Sequence, residues 1–274
     1  MIAVQERVRS PVVGGMFYPD EKAEALACLR AFGLRRGTGG RARAIIAPHG
    51  AWEISGSLAA AAFASAAGRS GPSRIVVMGP IHGQHEQGIF LSNSHFFQTP
   101  LGNIPVEQGM AEEFEAYSPL FEIDDIPHLQ EHSIEVLLPF IKYCFPDASI
   151  VPILMGCPGA ESISVLADAL RTVLYPVMDD TLLVVSCNLA MDSSGGRALD
   201  MARECMRLLS EKRGAEFSEA LLGGRLVCCG GALAASLLLS GLVDPMRALP
   251  SAPALLSAKG EENKTVYYGA VSFG

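Results

Sequence analysis

The stretch Ile75-Val76-Val77-Met78-Gly79-Pro80-Ile81-His82 decides the fold. Its four leading apolar residues end at a glycine and a proline, a pattern that is typical of a short strand buried on both faces. Apolar runs of the same kind lie at 44–47, 89–91, 150–155, 182–185, 226–227 and 266–273. Apolar residues at helical spacing lie between them, at 58–67, 163–173, 199–209 and 232–242. Strands that alternate with helices predict an α/β fold with a largely parallel sheet covered on both faces.

The composition fits a large core and excludes some partners. Among 274 residues, 49% are hydrophobic and 18% are charged, and the net charge is −8 with no basic run. Because nucleic acids and anionic membranes are bound by clustered positive charge, we predict neither partner. No linker divides the chain, so we expect residues 1–274 to form a single domain.

The sequence favours a cytoplasmic protein. The most apolar stretch, 230–243, is about 14 residues long, whereas a membrane-spanning helix needs about 20. The first ten residues include charged side chains and lack the apolar core of a signal peptide. Seven cysteines at irregular spacing fit free thiols in a reducing compartment.

Two histidines follow predicted strands directly. His49 comes after the run at 44–47, and His82 comes after the run at 75–78. Ligands bind at the carboxyl ends of the strands in such sheets, so we expect the two rings to lie close together. Two imidazoles suit Zn, Cu or Fe, and a thiolate from Cys229 would complete a set of three ligands. The alternative is that both histidines are loop residues satisfied by hydrogen bonds.

Short motifs follow one another along nearly the whole chain. They are Arg9-Ser-Pro-Val-Val-Gly-Gly-Met-Phe-Tyr-Pro19, Pro48-His49 with Ser55-Gly56, Gly79-Pro-Ile-His82, Thr99-Pro-Leu-Gly102, Glu131-His-Ser-Ile-Glu135 with Leu138-Pro-Phe140, Val151-Pro-Ile153, Cys229-Gly230 and Tyr268-Gly-Ala270. In this order they resemble the Memo-like family, also called AmmeMemoRadiSam system protein B. The family is similar in fold to class III extradiol dioxygenases, which implies a three-layer αβα fold with a central mixed, largely parallel sheet.

The resemblance also implies a metal site. The dioxygenases hold Fe(II) with two histidines and one glutamate, beside a further histidine that acts as acid and base. The resemblance places His49 and His82 at the two histidine ligand positions and Cys229 at the carboxylate position. The implied cofactor is a single metal ion, which is Fe, Cu or Zn.

One stretch departs from the family pattern. Relatives carry Ser-Ser-Asp-x-x-His after the fourth strand, and here Asn188 replaces the aspartate and Met191 replaces the histidine. An amide carries no charge and a thioether transfers no proton, so the usual acid–base position is degenerate. With Met191 nearby, the ligand set suits Cu(I) or Zn better than Fe(II). His85 is a spare imidazole near His82.

Aromatic and polar side chains near the predicted ligands are further candidates for the cleft. We predict that Tyr18 and Trp52 lie at the cleft mouth, with packing in the core as the alternative for Trp52. Glu131 and His132 either form the cleft wall and orient a ligand histidine, or serve helix capping. Cys228 is predicted to be a core residue.

Three functions remain open from the sequence. The first is a metal-binding protein whose catalysis is altered or lost. The second is a peptide- or protein-binding scaffold, because relatives are implicated in phosphopeptide recognition in animals and are linked in bacteria with radical SAM and AMMECR1-like proteins. The third is an oxygenase or redox enzyme that uses His85 or His132 as acid and base.

Overall fold

The computed structural model describes residues 6–68, 71–83, 87–243, 256–259 and 264–274. Its α-helices are α1 (Lys22–Ala31), α2 (Trp52–Ala66), α3 (Gln108–Tyr117), α4 (Ile126–Gln130), α5 (Leu138–Cys144), α6 (Ala160–Leu174), α7 (Gly195–Ser210), α8 (Gly214–Leu222) and α9 (Gly231–Ser240). Its strands are β1 (Val8–Arg9), β2 (Ala44–Ala47), β3 (Arg74–Pro80), β4 (Ile89–Leu91), β5 (Phe96–Phe97), β6 (Ile104–Pro105), β7 (Phe121–Ile123), β8 (Ser149–Met155), β9 (Thr181–Ser186), β10 (Ala190–Asp192), β11 (Leu256–Lys259), β12 (Thr265–Tyr268) and β13 (Val271–Phe273). Short 3₁₀ helices cover Glu135–Leu137 and Tyr175–Asp180.

A mixed sheet of seven strands forms the centre of the fold. The strand order is β13-β2-β9-β3-β8-β4-β7. The four strands β2, β9, β3 and β8 are parallel, whereas β13 and β4 run antiparallel to their neighbours β2 and β8. The predicted mixed, largely parallel sheet is therefore confirmed.

Both faces of this sheet are buried. Val76 and Met78 of β3 pack into one core cluster, and Ile75 and Val77 pack into another. Successive residues of a strand point to opposite faces, so a run with no polar residue requires cover on both sides. Helices α6 to α9 contribute to the first cluster, and α1, α2 and α5 contribute to the second. The fold is thus a three-layer α/β structure.

The strand order brings three polar segments together. β9 lies between β2 and β3, with Ala47 opposite Ser186 and Met78 opposite Val185. Because these strands are parallel, the residues that follow them emerge at the same edge of the sheet. That edge carries the candidate site.

Two strand predictions are wrong. Residues 226 and 227 form no strand, and Cys229 makes only a single bridge with Asn188. The expected last strand over 266–273 is divided at Gly269, where a Cβ would lie 2.3 Å from Leu189. The first part, β12, pairs with β10 and β11, and the second part, β13, pairs with β2 in the central sheet.

Among the described residues, no helix combines the length and apolar character needed to cross a membrane. That residues 1–274 form one domain stays a prediction.

Candidate metal centre

His49, His82 and Cys229 meet at the carboxyl edge of the central sheet. One potential ligand atom from each lies within 4.8 Å of the other two. The ring centroids of the two histidines are 5.1 Å apart, and the Cys229 sulfur lies 3.2 Å from His82 Nε2. The loops after β2 and β3, together with the segment between α8 and α9, therefore bring the three predicted ligands into one cluster.

His49 is held with one ring nitrogen free. Its Nδ1 lies 2.7 Å from the Ser186 hydroxyl, and that hydroxyl donates its hydrogen to the Ser133 carbonyl at 2.6 Å. The Ser186 oxygen is therefore the acceptor, and His49 carries its proton on Nδ1. His49 Nε2 is buried and has no hydrogen-bond partner among the residues that the structure describes. Its lone pair is left for a ligand in the cleft.

Electrostatics keep His49 neutral. Burial, followed by the nearby rings of His82 and His132, holds the pKa of His49 well below its usual value. Only the neutral imidazole can bind a metal, so this environment favours the form that acts as a ligand. The Asn188 side-chain oxygen accepts the backbone N–H of His49 at 3.1 Å and fixes the loop.

Glu131 orients the second histidine. Its carboxylate accepts the His82 backbone N–H at 2.6 Å and lies 2.9 Å from His82 Nδ1, which leaves Nε2 facing Cys229. Burial lowers the pKa of His82, but hydrogen bonds to Cys229 and Glu131 outweigh burial and raise it to about 10. Burial raises the pKa of Glu131, but the His82 ring outweighs burial and holds it well below its usual value. A carboxylate behind a ligand histidine is a common means of fixing the ring and its tautomer.

A third imidazole stacks on the second. The His132 ring lies 4.4 Å from the His82 ring at an interplanar angle of 22°. Its Nδ1 is 3.4 Å from Glu131. Burial and the neighbouring His82 lower the pKa of His132, so its ring is neutral near pH 7. His82, Glu131 and His132 form a second group that could hold a metal ion.

The cluster opens into a cleft of about 580 Å³. Its other walls include Phe17, Ile54, Met191 and Tyr268, together with Asn188. Met191 and Asn188, the two positions that depart from the family pattern, thus lie in the cleft with the candidate ligands. The walls away from the ligands are mainly apolar.

Comparison with known proteins agrees with the motifs. The family model for "Memo-like protein" matches residues 9–242. The chain belongs to the Memo-like family. A MEMO1 family protein of Thermotoga neapolitana is 33% identical over 194 residues, which cover 66% of this chain and 70% of the relative. A MEMO1 family protein of Pyrococcus furiosus is 33% identical over 186 residues, which cover 65% of this chain and 63% of the relative.

Among solved structures, this Memo-like chain is similar to an uncharacterized protein of Escherichia coli K12. The TM-score is 0.42 and the identity 15%, over 84% of this chain and 100% of that chain. A likeness at this level carries no conclusion, and the fold rests on the strand order described above. The similarity in fold to class III extradiol dioxygenases stays a prediction.

Two predicted cleft residues lie elsewhere. Tyr18 is 3% exposed and donates its hydroxyl hydrogen to Glu135 at 2.9 Å. Trp52 is 4% exposed, packs in the core against Tyr18 and donates its indole N–H to the Val136 carbonyl at 3.0 Å. Neither side chain lines the cleft, so the predicted place at its mouth is wrong for both, and for Trp52 the structure shows the alternative, packing in the core. His85 lies outside the described residues.

Some residues of the site were missed from the sequence. Ser186 orients His49, and Phe17, Ile54 and Tyr268 line the cleft. Ser186 had a usable signal, because it is the polar residue that ends an otherwise apolar strand. Phe17 and Tyr268 belong to the quoted motifs, but a motif does not show which side chains face the cleft. Ile54 had no signal, since single exposed apolar residues are common.

A second thiol-rich region lies beside Cys229. Cys187 is buried, and its sulfur is 3.2 Å from that of Cys228. Cys228, the predicted core residue, is half-buried. Cys228 packs against the core and also lines a separate cavity of about 270 Å³ with Pro80 and Met155. Hydrogen bonds with Cys187 and Cys205, together with burial, raise the pKa of Cys228 well above its usual value.

Proposed function

We propose that this protein binds one metal ion through His49 Nε2, His82 Nε2 and the Cys229 sulfur. The observation that carries the proposal is the buried His49 Nε2, for which the described part of the chain offers no hydrogen-bond partner. Buried polar atoms without a partner are rare and costly in folded proteins. An ion placed between the three ligand atoms would satisfy this nitrogen.

The donor set fits a metal that accepts both nitrogen and sulfur. Two imidazoles and one thiolate suit Zn or Cu(I) better than Fe(II), and three protein ligands leave a position open toward the cleft. A bound ion would supply Lewis-acid chemistry, or electron transfer if the metal is redox-active. The chain supplies the orientation, through Ser186 behind His49 and Glu131 behind His82.

Metal content and a Co(II) spectrum test the proposal. Protein purified without an affinity tag is expected to bind one equivalent of Zn, and Co(II) is expected to give a thiolate charge-transfer band. His49→Ala should abolish stoichiometric binding, and Cys229→Ser should remove the band. His95→Ala is the matched control, because the His95 ring accepts the backbone N–H of Arg7 away from the cleft. Equal metal content in His49→Ala and His95→Ala would refute the site.

A second candidate function is an oxygen-dependent or redox enzyme with His132 as the proton-transfer group. The observation that favours it is the neutral His132 ring in the cleft, stacked on His82. The His132 imidazole would take the role of the family histidine that Met191 replaces. Anaerobic loading with Fe(II), followed by oxygen uptake with a panel of catechols, tests the candidate. His132→Gln should abolish oxygen uptake while metal content is retained. Oxygen uptake by wild-type protein no greater than that of His82→Ala would rule the candidate out.

The scaffold function stays a prediction from the family resemblance. The same holds for the radical SAM and AMMECR1-like partners and for the cytoplasmic location.

A further inference from the structure

Cys187 and Cys228 form a close thiol pair behind the candidate metal centre. Their sulfur atoms are 3.2 Å apart, although the residues are 41 positions apart in the chain. Both thiols donate to the same acceptor, the carbonyl oxygen of Asn188, at 3.8 Å from Cys187 and 3.1 Å from Cys228. The two sulfur atoms therefore already lie next to each other, beside the Asn188 carbonyl oxygen.

We propose that Cys187 and Cys228 are an oxidisable dithiol that closes to an intramolecular disulfide. A disulfide has a sulfur–sulfur distance of about 2.05 Å, so the two atoms need to approach by roughly 1.2 Å. No metal ligand takes part, so the proposal is independent of the proposed metal site.

A cavity beside Cys228 offers a small oxidant a route to the thiol pair. Cys187 is fully buried, whereas Cys228 is half-buried and lines the cavity of about 270 Å³ beside Pro80 and Met155. Cys228 is therefore the thiol that a small oxidant meets first. Cys187 lies behind it as the resolving thiol.

The chemistry balances with hydrogen peroxide as the oxidant. Cys228 loses its proton and attacks one peroxide oxygen, the O–O bond breaks, and a sulfenic acid and one water molecule result. The Cys187 sulfur then attacks the sulfenic sulfur, the S–O bond breaks, and a second water molecule leaves. Two thiols lose two electrons and two protons, and one peroxide is reduced to two water molecules.

Mapping of the cross-link tests the proposal in metal-free wild-type protein. The protein is treated with hydrogen peroxide, free thiols are alkylated, and peptides are analysed by mass spectrometry with and without dithiothreitol. We expect one cross-linked pair, Cys187 with Cys228, that dithiothreitol reverses. Cys187→Ser and Cys228→Ser should each lose the cross-link, whereas Cys144→Ala, which removes a buried cysteine of the other core cluster, should retain it.

The exposed Cys157 serves as an internal indicator that the oxidant was active. Oxidised Cys157 with both Cys187 and Cys228 still free would overturn the proposal. A cross-link from Cys228 to Cys205 or Cys229 would overturn it equally, because the pair would then be different.

Discussion

At the scale of single residues, the site depends on how one ring is oriented. The Ser186 hydroxyl donates its hydrogen to the Ser133 carbonyl, so its oxygen accepts the Nδ1 hydrogen of His49. This short chain of hydrogen bonds sets the tautomer and leaves Nε2 free. A serine that never touches the metal would thus decide which nitrogen binds it.

Ser186→Ala tests this role. Removal of a partner behind a ligand histidine typically lowers metal affinity by about 10–100-fold. We expect a loss of that size for Zn or Co(II), measured by competition with a chelator of known affinity. Ser236→Ala is the matched control, since Ser236 is also buried and donates to two backbone carbonyls, Ile163 and Ala232. Equal affinities in the two variants would contradict the role of Ser186.

The candidate ligands could be predicted from the sequence, but the hydrogen bonds that orient them could not. His49 and His82 were predictable because each follows an apolar run that reads as a buried strand. Glu131 was predictable as a partner of a ligand histidine through its motif, but its choice of His82 depends on tertiary structure. Trp52 was placed wrongly because its sequence distance from His49 does not tell which way a helix turns its first side chain.

At the scale of elements, α9 fixes the position of Cys229. Glycines flank this helix at both ends, Gly230 with φ +89° and Gly241 with φ +71°. A Cβ on Gly230 would lie 2.2 Å from the Ser186 carbonyl oxygen, whereas no atom of a described residue lies within 4 Å of a Cβ on Gly241. The start of α9 is therefore packed directly on the end of β9.

The two glycines form a matched pair for mutation. Gly241→Ala meets only the strain of the left-handed conformation, roughly 1–2 kcal/mol. Gly230→Ala meets the same strain and a backbone clash, so we expect a much larger loss in the free energy of unfolding. Denaturant titration measures both losses, and Co(II) binding should fail in Gly230→Ala alone. Similar values for the two variants would show that the contact with Ser186 is not tight.

Element boundaries were less predictable than the elements. Strands β2, β3, β8 and β9 were found because uninterrupted apolar runs bounded by glycine or proline have few other solutions. The division between β12 and β13 was missed, because β-branched and aromatic residues typical of strands lie on both sides of Gly269 and the close approach of Leu189 is a tertiary contact.

At the scale of the whole molecule, the buried His128 makes the free energy of unfolding depend on pH. Burial is the largest cause that lowers the pKa of His128, to about 4, and its ring nitrogen contacts the Phe90 carbonyl at 3.2 Å. In an unfolded chain a histidine titrates near pH 6.5. Between about pH 6.5 and pH 4 the unfolded chain therefore binds a proton that the folded chain does not. The free energy of unfolding falls as the pH falls through this window.

His128→Gln should weaken that dependence. For one such group the loss between pH 6.5 and pH 5 is on the order of 2 kcal/mol. We expect urea titrations of metal-free protein at pH 7.5 and pH 5 to differ less for His128→Gln than for wild type. The amide of Gln can still donate to the Phe90 carbonyl. His95→Gln, at a half-buried loop position, is the control, and an unchanged dependence in His128→Gln would contradict the assignment.

The order of strands in the sheet differs from their order in the chain, and this has a consequence during synthesis. β9 lies between β2 and β3 but is translated after both, and β13, the other neighbour of β2, comes last. A nascent chain thus presents His49 and His82 before any strand exists to set their separation, and Cys229 emerges later still. Pairings between such distant segments require long loops to close and therefore form late in folding. The proposed metal site can thus form only after Cys229 has been synthesised, so a metal would be selected by the folded protein and not by the nascent chain.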